Sequence, residues 1–510
     1  MSLDASGSGI ELEYIHSDTS GPLAAPTKAD TSHYGSRSVP EPVRSSPTPN
    51  CHRTRPAFDT RLSDELTTSI PVPGPPAASE TLENEPKLAN VMSFRNPPMN
   101  RYRVVVCIVW TFICGFSDAA PGALLPHIET YYHVNYALAS LIWISNALGF
   151  ISVACFSHKI QPWLGRKYSL PFGCLLSCVM YAIVSSGTKF AATVVGFFFG
   201  GAGLAMVMAQ TNIFLSRLEK QSKYLSFNHG SYGTGATVSP LIATGMVNAG
   251  VKWHFFYLVL LAMMAGAGVA LYLVFQTADE DLKPWDSENS DEMAPPAQLA
   301  PLHTNEMILA LKSPVTWLLS FFVLFYQGAE VSMAGWIVTF LLDYRHGNSS
   351  SVGYVASGFW AGLTIGRLVL TRPLHKSLGL RRSVIVVSMG SIVLVALIWA
   401  IPHTIADAVL VALAGILIGP NYPLLITFSA RDGLIPRKLQ IITLTIMTAF
   451  GSSGGALFPF IVGMLSQTSG TYVVMPVFIA LYASMILLWV CLPNIERKRG
   501  GEMSLWERIW

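Results

Sequence analysis

Residues 321–342, FFVLFYQGAEVSMAGWIVTFLL, are apolar and long enough to cross a bilayer, yet Glu330 stands near their middle. A carboxylate at that depth costs roughly 2.5–3.5 kcal/mol on insertion scales, so its presence needs a reason. Read as a membrane helix, this stretch decides the fold, because the chain repeats its pattern on both sides. Apolar runs precede it near 103–126, 136–156, 168–187, 190–214, 226–249 and 253–276. The polar stretch TADEDLKPWDSENSDEMAPP follows. Six runs then lie near 314–342, 352–371, 382–401, 405–428, 438–465 and 472–493. The expected fold is an all-α polytopic membrane protein of about twelve transmembrane helices, six in each half.

Composition points the same way. Of 510 residues, 51% are hydrophobic and only 12% charged, against about 25% charged in soluble domains. Mean hydropathy is +0.44. A net charge of +3 gives no broad surface for nucleic acid. The seven cysteines are odd in number and lack metal-ligand spacing, and Cys174 and Cys178 read as small packing residues. There is no GxxxxGK[ST] loop, HExxH pair or GxSxG elbow. No enzymatic activity, catalytic residue, metal or cofactor is therefore expected.

Residues 1–100, with SVPEPVRSSPTPN and SIPVPGPPAAS, carry few large apolar residues and read as a disordered tail. The expected organisation is this tail, a six-helix bundle over 101–276, a central loop over 277–313, a second bundle over 314–493 and a short tail over 494–510. Basic residues set the orientation. Hairpins on the tail's side carry Lys159, Arg166, Lys167, Arg217, Lys220, Lys223, Arg372, Lys376, Arg381, Arg382, Arg431, Arg437 and Lys438, whereas the other side has only Lys189, Lys252 and Arg345. Both termini are thus expected in the cytosol. The plasma membrane is the default, and the vacuolar membrane fits as well.

The halves repeat. SHKIQPWLGRKYS (157–169) matches LHKSLGLRRS (374–383), with His158 and His375 217 positions apart. GTGATVSPLIATG around Pro240 matches GSSGGALFPFIVG around Pro459, 219 apart, and Asp118 and Glu330 are 212 apart. Similar offsets from three landmarks predict two related bundles with the two acids on equivalent first helices.

These acids are the first candidates for chemistry. Glu330 shares a helical face with Tyr326 and Gln327. Asp118 lies beside Pro121 and Gly122, which free backbone groups that a cavity can satisfy. His229 sits in FNHGSYGTGATVSP. Buried groups of this kind can take up and release a proton. Glu330 leads, then Asp118, then His229. Tyr326, Gln327, Asn228, Asn212, Asn421 and Trp336 are candidates for solute binding, and each has a packing role as its alternative. Arg367 reads as lying towards the cytosolic end of its run, which leaves no cation at the centre and favours a neutral solute over an anionic one.

The twelve spans, basic hairpins and central loop resemble the major facilitator superfamily across roughly residues 100–495. FYQGAEVSMAGWIVTFL, SGFWAGLTIGRLVL, GILIGPNYPLL and FNHGSYGTGATVSPLIAT look like its fungal branch related to the fucose/proton symporters, the bypass of stop codon protein 6 group. The resemblance implies a monomeric secondary transporter working by alternating access on a small, sugar-like solute together with protons. Gly165, Arg166, Lys167, Arg367, Arg381 and Arg382 would serve gating. The chain departs from the family where Pro162 and Trp163 replace the usual hairpin charges, and where the fourth helix has no acid near Met208. A proton-driven exporter of drugs or secondary metabolites, and a nutrient sensor on a transporter scaffold, are the alternatives.

Overall fold

A computed structural model of the chain describes residues 92–282, 304–429 and 434–493. Of the expected tails (1–100 and 494–510) and central loop (277–313), residues 1–91, 494–510 and 283–303 lie outside them. The first bundle contains α1 (Asn100–Tyr132), α2 (Tyr136–Phe156), α3 (Trp163–Ser185), α4 (Phe190–Ser216), α5 (Gln221–Asn248) and α6 (Phe256–Phe275). The second contains α7 (Pro314–Asp343), α8 (Ser349–Ile365), α9 (Thr371–Ala400), α10 (Thr404–Ser429), α11 (Arg437–Ser469) and α12 (Val474–Cys491).

Among the described residues, ten helices are long and apolar enough to cross a membrane, and one of them, Ser349–Ala400, holds both α8 and α9. Helix α5 falls short because Gly230, Gly233, Gly235 and several hydroxyl residues dilute it. Those glycines let it pack closely instead. A Cβ at Gly235 would run into the Phe112 carbonyl of α1, so the two backbones touch where a larger residue would part them. With α5 and the divided segment, twelve spans form.

Local signals set the boundaries. Helix α1 continues through Pro121 and Pro126 to Tyr132, beyond the expected end near 126, because neighbouring helices hold it despite the two lost backbone bonds. Asn348 caps α8 by accepting from the Ser350 amide at 3.0 Å. Pro420 interrupts α10 between Ile418 and Asn421.

The repeat is visible in the backbone. The hairpin between α2 and α3 turns at Gly165 (φ 61°, ψ 175°), and the one before the spanning part of α9 turns at Gly379 (φ 78°, ψ 171°), 214 positions later. His133 and His346, 213 positions apart, both take a left-handed conformation after α1 and α7.

Each bundle ties its ends with buried charge. Arg103 is fully buried and donates to the Val274 carbonyl, Asn100, Thr277 and Asp281, the last at 2.6 Å. Burial works to raise the Asp281 carboxyl, but bonds from Thr277 and Arg103 and the guanidinium charge outweigh it and hold the group below the ordinary aspartate range. Asp279 accepts from the Arg166 amide at 3.1 Å, beside the Gly165 turn. Arg381, also buried, donates to the Leu492 and Val490 carbonyls. It therefore anchors its hairpin to α12 within one bundle.

The bundles meet mainly at one end. Gly122 of α1 lies against the Ala334 carbonyl of α7 with no room for a Cβ, and Gly463 of α11 lies against Ser140 and Trp336. Trp143 and Tyr136 pack on Trp336, with centroids 5.7 and 5.8 Å apart. The Tyr136 hydroxyl donates to Asp343 at 2.5 Å, the Tyr136 amide to Gln467, and Asn248 to the Ser350 carbonyl. These three hydrogen bonds cross between the bundles at this end. It is sealed.

Candidate transport site

Two polar clusters occupy the middle of the molecule, one in each bundle. In the first, the Tyr232 hydroxyl of α5 donates to Asp118 Oδ2 of α1 at 2.9 Å. Gly115, one turn before Asp118, touches the Tyr232 backbone where a Cβ could not fit, which fixes the register of α1 against α5. Asp118 is half-buried and forms no ion pair among the described residues. Nearby, Asn228 accepts from Thr111 at 2.7 Å and donates to Asn212 at 3.4 Å, binding α1, α4 and α5 together. His229, next to Asn228 in α5, is exposed.

In the second cluster, both oxygens of Glu330 accept from Arg367 Nη2 at 2.9 Å. Tyr326 accepts from the same nitrogen at 3.2 Å. The Glu330 side chain is 3% exposed and that of Arg367 23%, so the acid is buried while the base is partly accessible. This corrects the expectation that no cation reaches the centre. The π-turn Gly366–Leu370 continues α8 without a break into the next helix, so Arg367 lies inside a long helix and not at its end. An extra residue in one turn re-aims the side chains around it. Gly362 and Gly366 press against the Ala412 and Ile416 carbonyls of α10, fixing that turn in place. The one acid and the one base within the apolar runs around α7 and α8 were the only available signal.

The remaining candidates divide. Tyr422 stacks on Tyr326 with centroids 6.2 Å apart and is half-buried. Asn421 is fully buried, bonded by Ser388 at 3.2 Å and directed to the Ile418 carbonyl, so it joins α9 to α10. Gln327 faces Gly455 of α11. Trp336 is fully buried and its indole nitrogen donates to the Pro459 carbonyl at 3.0 Å, so it belongs to the seal. Trp360 of α8 emerges in its stead, its ring 6.5 Å from that of Tyr232. Arg382 is half-buried in its hairpin.

Two six-helix bundles with polar groups at mid-depth are the architecture of a membrane transporter. The chain matches the Major Facilitator Superfamily over residues 107–433 and belongs to that family. It is 23% identical to Bypass of stop codon protein 6 of Saccharomyces cerevisiae, over 79% of this chain and 84% of that protein. It is 26% identical to the Multidrug efflux protein YfmO of Bacillus subtilis, over 70% of this chain and 86% of that one. A Glucose/galactose transporter of Brucella abortus is 22% identical over 51% of this chain and 63% of its own. The fold matches the crystal structure of a D-xylose-proton symporter with a TM-score of 0.62 at 11% identity, covering 78% of this chain and 98% of that one.

Proposed function

We propose that this chain couples protons to the movement of a small, neutral, sugar-like solute, and that Asp118 carries the proton. One observation carries the reading: of the two acids on the equivalent first helices, Asp118 has no ion pair among the described residues, while Glu330 is neutralised by Arg367. An ion pair in a low-dielectric site leaves each charge with its own partner. Asp118 has a single neutral donor and is half-buried, and it can change charge during a cycle. The order expected from sequence, Glu330 first, is thereby reversed.

The solute class follows from the same balance. With Arg367 matched to Glu330, the site offers no unpaired cation for an anion. Arg367 Nε and Trp360 Nε1 are buried without partners among the described residues, and hydroxyl oxygens of a neutral solute could accept from them. The sugar named for the Brucella relative agrees with this class. If the basic hairpins face the cytosol, the sealed end is the outer one. A second reading, exchange of an organic cation for a proton at Asp118, is favoured by the same uncompensated carboxylate and by the efflux protein among the relatives.

Proteoliposomes holding a pH-sensitive dye separate these readings, with neutral sugars and organic cations added outside in turn. Neutral sugars should acidify the interior in the wild type. Asp118→Asn should reduce that signal at least tenfold, and Glu330→Gln should not abolish it. Alkalinisation driven by cations would support exchange, and an unchanged signal in Asp118→Asn would remove Asp118 from the mechanism.

A further inference from the structure

We propose that Tyr232 is a positioning residue that conveys the charge of Asp118 to the seam between the bundles. This rests on Asp118 as the proton carrier. Tyr232 meets both parties: its hydroxyl donates to Asp118 at 2.9 Å, and its ring stands edge-on to Trp360 of the opposite bundle at 6.5 Å. From that point the α5–α8 seam runs towards the sealed end. Gly353 packs on Thr244, and Asn248 bonds the Ser350 carbonyl. Tyr232 and Trp360 thus stand within the seam, which Gly233 against Thr364 and Gly230 against Leu368 continue on the side away from the seal.

The backbone cannot absorb a change at this place. Gly115 touches the Tyr232 carbonyl and Gly235 the Phe112 carbonyl, so α1 and α5 move as one body. What can change is the phenol. A hydroxyl donating to a carboxylate makes a bond about twice as strong as one donating to a neutral acid. Ionised Asp118 therefore fixes the phenol against Trp360, and protonation releases it. The other titratable groups around Asp118 are Tyr181 of α3 and Cys114 of its own helix. Glu330, Arg367 and His229 complete the surroundings: the first two act electrostatically on Tyr232, and Arg367 also acts on His229. None of them is a cation bonded to Asp118.

The test uses protons alone. Spin labels at Leu138→Cys and Ile405→Cys, both on exposed positions at the sealed end, report its opening in a background freed of native cysteines. In the full-length protein the distance should lengthen as pH falls. Tyr232→Phe keeps the ring and removes the hydroxyl that conveys the charge, and should leave the distance nearly independent of pH. Trp360→Leu should do the same. A wild-type pH response in a folded Tyr232→Phe protein overturns the proposal. If that variant does not fold, a wild-type pH response in Trp360→Leu does so. A response that survives Asp118→Asn would refute the proton assignment itself, which keeps the two failures apart.

Discussion

Replacing Arg367 with methionine should destabilise the protein by about 3–5 kcal/mol, the usual penalty for stranding one member of a buried ion pair. Glu330 is the member that cannot escape: its side chain is 3% exposed, and both of its oxygens depend on Arg367 Nη2. Tyr326 would remain beside it but supplies no charge. Glu330→Gln should be milder, because Arg367 is 23% exposed and retains Tyr326. The double variant should be more stable than Arg367→Met alone, since no unpaired acid remains. Unfolding midpoints in detergent give the order. A larger loss for Glu330→Gln than for Arg367→Met would show that the acid is not the trapped partner.

The second large effect belongs to the seal. A Cβ at Gly122 meets the backbone carbonyl of Ala334, and a carbonyl within a helix cannot swing aside as a side chain can. Overpacking ordinarily costs about 1–3 kcal/mol where neighbours relax. Here the cheapest relaxation is to part the bundles. Gly122→Val should hold the sealed end open, lengthen the distance between labels at Leu138→Cys and Ile405→Cys, and stop net transport. Each bundle should stay folded, because the clash lies between them. Normal transport with an unchanged distance would mean that α1 and α7 need not approach so closely.

Much of the architecture was legible because bilayer physics leaves few options: apolar runs of helix length must be helices, and basic hairpins alternate with poor ones. Helix α5 read as a weaker apolar run over 226–249, diluted by its glycines and hydroxyls, and its match to α11 supported the reading. The site was half legible. Asp118, Glu330, Tyr326 and His229 stand out as polar groups in apolar surroundings, and all four border the central region. Their partners did not stand out. Arg367 was placed at a helix end because no sequence signal announced the π-turn and the unbroken helix beyond it. Trp336 and Trp360 are both tryptophans in apolar runs. Only tertiary packing puts the first in the seal and the second beside Tyr232.

The lone carboxylate remains the centre of the account. Infrared difference spectra of the purified protein, recorded across an acid titration, detect the carbonyl stretch of a newly protonated carboxyl group. Among the bands of the chain's 30 acidic side chains, one component should be present in the wild type and in Glu330→Gln and absent from Asp118→Asn. A component that persists in Asp118→Asn and disappears in Glu330→Gln would contradict the account.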